Sequence, residues 1–112
     1  MGFAASQARM LMLTARQSDL EIQGQFINQA RLQIANIVGN LFNVTTNLEP
    51  ESPQARSIQA RIASIQTMDK ALEIQLKRLD TQREAIMRER EAVEKVISKN
   101  IQSSFGTFAR NS

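Results

Sequence analysis

Apolar residues fall on a strict seven-residue beat that runs twice, once on each side of a double-proline break. Before the break Leu13, Leu20, Ile27, Ile34 and Leu41 are each seven apart; after it Ile58, Ile65, Leu72, Leu79, Ile86 and Val93 repeat the interval. Glu49-Pro50-Glu51-Ser52-Pro53 stands between the two series. A straight α-helix drifts by roughly 20° per heptad against such a repeat, so holding it over several heptads predicts left-handed supercoiling. The pattern predicts an all-α chain: two long helices forming an antiparallel coiled-coil hairpin, completed by oligomerisation.

Local signals set the expected boundaries. The first helix is predicted over about 5–46, with Ser6 as an early cap, and the turn over 47–52. Thr45-Thr46-Asn47 has poor helix propensity, and Pro50 pushes Glu49 out of the helical region. Ser52-Pro53 restarts the chain, serine being a preferred N-cap and proline favoured at the first helical position. The second helix is predicted over about 53–104, with Gly106 ending it and a short tail over 105–112. With the turn centred on Glu49-Pro50, facing residues have numbers summing to about 99. Leu41 then meets Ile58, Ile34 meets Ile65, Ile27 meets Leu72, Leu20 meets Leu79, and Leu13 meets Ile86.

The second seam position, taken three residues after each member of the beat, is mixed in character. It reads Arg16, Gln23, Ala30, Ile37 and Val44 in the first arm, and Arg61, Met68, Gln75, Gln82, Glu89 and Val96 in the second. A two-stranded coil wants apolar residues at both positions, so this seam is thin. Apolar residues on other faces are left for a neighbour to cover. The expected inter-subunit contacts are Phe26, Val38, Phe42 and Ile97, together with Ile101, Phe105 and Phe108 on the part of the second helix that runs past the N-terminus.

Composition narrows the class. The 112 residues make one domain and include no cysteine and no histidine. That removes disulfides, thiolate and imidazole metal ligands, and the usual general base, so no catalytic residue, cofactor or metal is expected. The net charge of +3 comes from both signs interspersed along the second arm, which is not the one-sided basic stripe of a nucleic-acid binder. Between Leu32 and Leu48 there is no charge at all, as in an interface core. Glu73–Lys77, Glu84–Arg88 and Glu91–Lys95 have the favourable i,i+4 order on a solvated second arm.

No apolar run suits a membrane span, and no cleavable signal peptide is visible, so any export would have to use an uncleaved N-terminus. Met1-Gly2-Phe3-Ala4-Ala5-Ser6 matches the myristoylation pattern, and Met10-Leu11-Met12-Leu13 is an apolar run beside Arg9 and Arg16; the continuing heptads favour a packed helix there.

The plan of two arms around Asn47-Leu48-Glu49-Pro50-Glu51-Ser52-Pro53 resembles the needle subunits of type III secretion systems. Those are small cysteine-free helical hairpins, exported without a cleaved signal and polymerised into a hollow tube. Ile34-Ala35-Asn36-Ile37-Val38-Gly39-Asn40-Leu41-Phe42-Asn43-Val44-Thr45 is similar to the Asn-rich N-terminal helix of flagellar rod and hook proteins. Both resemblances imply an exported axial-filament subunit, extracellular or at the cell surface, with homo-oligomeric contacts and export machinery or a chaperone as partners. A coiled-coil adaptor or secretion chaperone docking a partner helix is the alternative, and a peripheral membrane protein using Gly2 to Leu13 is a third reading.

Overall fold

The computed structural model describes residues 2–111, with side chains over 2–106. The described residues are all-helical apart from the turn: α1 spans Phe3–Thr45 and α2 spans Pro53–Asn111.

The helix ends follow from local chemistry. Gly2 O accepts the first helical hydrogen bond from Ser6 N at 2.9 Å, so α1 begins at Phe3 with Gly2 as its cap. Ser6 is therefore inside the helix, not at its start. At the other end the last bonds tighten to i→i+3: Asn47 N donates to Val44 O and Leu48 N to Thr45 O, both at 3.1 Å. Thr45 Oγ1 also donates to Leu41 O at 2.8 Å.

Glu49-Pro50-Glu51-Ser52 then closes a four-residue turn, with Ser52 N donating to Glu49 O at 3.0 Å and Pro50 at the second position that its fixed φ suits. Ser52 caps α2: its Oγ accepts from Ala55 N at 3.1 Å and its carbonyl from Arg56 N at 3.0 Å. Pro53 occupies the first helical position, where a missing N–H costs nothing.

α2 does not stop at Gly106. The helix continues to Asn111, with no positive φ at any glycine among the described residues, so the expected tail over 105–112 is helical through Asn111. A glycine in a helix interior costs about 1 kcal/mol and does not by itself terminate it.

The chain divides into two compact units. The terminal unit joins residues 1–22 to 80–112, and the turn unit is residues 23–79. In the turn unit Arg31 bonds Asp69, and the Gly24 backbone lies against Leu76, whose Cδ1 is 3.8 Å from where a Gly24 Cβ would stand. Seven residues up α1 correspond to seven residues down α2. In the terminal unit Leu13, Ile86 and Val93 form a buried cluster with Met10, Leu20 and Ile97 packed against it.

Candidate functional site

Every member of the seven-residue beat lies inward. Leu13, Ile86 and Val93 are buried, and Leu20, Ile27, Ile34, Leu41, Ile58, Ile65, Leu72 and Leu79 are half-buried. The second inward row follows them by four residues, not three. In α1 it is Gln17, Gly24, Arg31, Val38 and Thr45, all half-buried. In α2 it is Ile62, buried, then Asp69, Leu76, Arg90 and Ile97, half-buried; Arg83 at the same interval is exposed. Of the residues expected there, Ala30, Glu89 and Val96 are half-buried, and Arg16, Gln23, Ile37, Val44, Arg61, Met68, Gln75 and Gln82 are exposed. They sit one position further round each helix, on the flank of the seam.

This second row is where polarity enters the seam. In the turn unit the Arg31 guanidinium grips Asp69 with two bonds, Nε to Oδ1 at 2.9 Å and Nη2 to Oδ2 at 3.3 Å. That hydrogen bonding, aided by the opposite charge, holds the Asp69 carboxyl below its ordinary value and Arg31 above its own, against the opposing effect of burial. In the terminal unit Arg9 pairs with Glu89, and Arg90 donates through Nη1 to Gln17 Oε1. Arg90 also lies 3.9 Å from Glu94, while its Nε is buried with no partner. On the solvated surface of α2, Glu73–Lys77 forms at 3.4 Å as its spacing predicts.

The residues expected to meet other subunits divide. Phe26, Phe42, Ile101 and Phe105 are exposed. Val38 is half-buried in the seam row, and Ile97, also half-buried, packs on the Leu13–Ile86–Val93 cluster. Phe108 lies outside the described side chains. Further exposed apolar side chains are Leu11, Ile22, Leu32, Ile37, Val44, Met68, Ile74 and Met87.

Arg31, Asp69, Gln17 and Arg90 were not singled out from the sequence, and Arg9 and Glu89 were not expected to pair. The signal for the first two was present in the register. Arg31 and Asp69 sum to 100 and Gly24 and Leu76 do likewise, so an isolated cation in α1 faced an anion.

The surface depressions are shallow and lined by α2 side chains such as Glu91, Glu94, Lys95 and Lys99. Among the described residues no group of three or more acidic side chains is placed to share a metal ion, and no helix is long and apolar enough to cross a membrane. The conspicuous surface is apolar and lies on the outer faces of two helices. Neither a protein-family model, nor a curated protein, nor a solved structure matches the chain.

Proposed function

We propose that the chain is a structural, self-assembling subunit: an antiparallel coiled-coil hairpin whose core is completed by copies of itself, as in an exported filament or tube of secretion or flagellar type. The observation that carries this reading is a shortfall of burial. The chain exposes 8527 Å² of surface. A folded monomer of its 12.6 kDa exposes about 6,200 Å², leaving an excess of about 2,300 Å². That excess is on the scale that each subunit of a large obligate assembly removes from water, about 1,000–2,500 Å². Among the described residues, only Leu13, Ala55, Ile62, Ile86 and Val93 form the buried apolar core.

The end of α2 supplies a longitudinal contact. Ile97 packs inward, and Ile101 and Phe105 continue its row at four-residue steps, exposed. α1 begins at Phe3, which the Arg9–Glu89 pairing places level with about residue 95. The last 14 residues of α2 after Ile97 thus extend past the start of α1 by roughly 20 Å. A neighbouring copy is the partner of this overhang. The exported character rests on the resemblance of the proline-turn plan to needle subunits.

Light scattering and negative-stain microscopy of the full chain test the reading. Large ordered particles are the expected result, lost in the Ile101→Glu/Phe105→Glu variant while its helicity persists. A small soluble dimer or tetramer whose size ignores that substitution would instead favour the adaptor or chaperone reading.

A further inference from the structure

Resting on the self-assembly reading, the geometry points to a second, lateral interface: the flank of the turn unit formed by Ala30, Ile37 and Val44 of α1 and Met68 of α2 docks on the same flank of a second copy. In the turn unit the contacts run in opposite senses along the two helices, so the residues just before Arg31 and Asp69 project to one side of the seam. These are Ala30 and Met68, and Ala30 is half-buried as that placement requires. One heptad nearer the turn the flank carries Ile37 and Arg61, and beyond them Val44; all three are exposed.

Three observations identify the occupant as another copy. The flank is continuous with the seam, whose members in this unit, such as Ile34, Leu41 and Ile65, are only half-buried. A further pair of helices laid along the flank completes their burial, drawing on the surface excess described above. The flank is also nearly uncharged: α1 carries no ionic residue from Leu32 to Leu48, and Arg61 is the cation beside the apolar stripe. A partner of either sign finds little to pair with, whereas a second copy of this nearly uncharged flank meets little repulsion.

Finally, the stripe is self-complementary. Small Ala30 and bulky Ile37 stand one heptad apart, roughly 10 Å along the helix. A twofold axis midway between them sets each Ile37 over the partner's Ala30 and keeps the two Arg61 side chains on opposite sides of the axis. This is the isologous geometry of a closed dimer.

The absence of cysteine makes the test direct. Full-length Ala30→Cys carrying an affinity tag is mixed with untagged full-length Ile37→Cys and oxidised. The expected product is a mixed disulfide dimer, while tagged Leu32→Cys, an exposed position off the flank, gives none with the same partner. Equal cross-linking from Leu32→Cys, or no link between positions 30 and 37, overturns the assignment. Ile37→Glu is the second arm: it should lose the lateral dimer with unchanged helicity, and a dimer that survives it also overturns the assignment. The two contacts fail separately. In the Ile101→Glu/Phe105→Glu background the lateral dimer should persist after the polymer is lost. Polymers that form without the 30–37 link refute this face alone, and a chain that is monomeric at every concentration refutes the self-assembly reading with it.

Discussion

Asp69 stands in a row that a simple coiled coil fills with aliphatic side chains, and its carboxylate survives there because Arg31 answers it with two hydrogen bonds. The pairing makes a pH dependence. Asp69 titrates below its ordinary value of 3.8 in the folded chain, so the unfolded chain binds the proton first as pH falls. The stabilisation is complete above that ordinary value and is lost as pH drops through the lower folded value. Thermal unfolding followed by circular dichroism should show the midpoint of the parent falling with acid below about pH 4 more steeply than that of Asp69→Asn. Parallel curves would mean the pair contributes nothing. Ser6 presents the opposite case, a fully buried hydroxyl with no partner. Removing an unsatisfied buried donor recovers about 1 kcal/mol or more, and alanine is the better helix former. Ser6→Ala should therefore raise the unfolding midpoint, and a lower midpoint would show that the hydroxyl is bonded in solution.

At the scale of the helices, one side chain restarts the chain after the break. Ser52 receives the Ala55 N–H and starts α2 directly after the proline turn. Ser52→Ala should cost about 1 kcal/mol and Ser52→Gly only a few tenths, since glycine tolerates the cap conformation. Equal losses in a denaturant titration would assign the effect to the turn instead of the cap. The two helices, the turn and the inward beat were readable because aliphatic residues recur every seven positions and the prolines interrupt them once. The second seam row was not, because Gln17, Gly24, Arg31 and Thr45 carry no hydrophobic signal, and nor do Asp69, Arg83 and Arg90. With that row silent, the apolar Ile37, Val44 and Met68 drew attention to positions three residues along. Those three are exposed, on the flank of the seam. Gly106 misled for a related reason: a residue that permits a helix to end does not compel it, and α2 runs on.

For the whole molecule the decisive quantity is how much apolar surface is left in water. A chain whose burial is completed by its own copies is stabilised by mass action, so its unfolding midpoint should climb as concentration rises. A midpoint independent of concentration over two decades would argue for a self-sufficient monomer. The opposed, seven-residue register has a further consequence, for length. Deleting one residue from either helix turns everything beyond it by about 100° and moves the seam to solvent. Removing residues 24–30 together with 70–76 takes one heptad from each arm, leaves the Arg31–Asp69 pair and the turn untouched, and returns every remaining layer to its own partner. Arm length in this architecture is thus quantised: it changes most cheaply in matched steps of seven, and the chain can be made shorter or longer without redesigning a single contact at its ends.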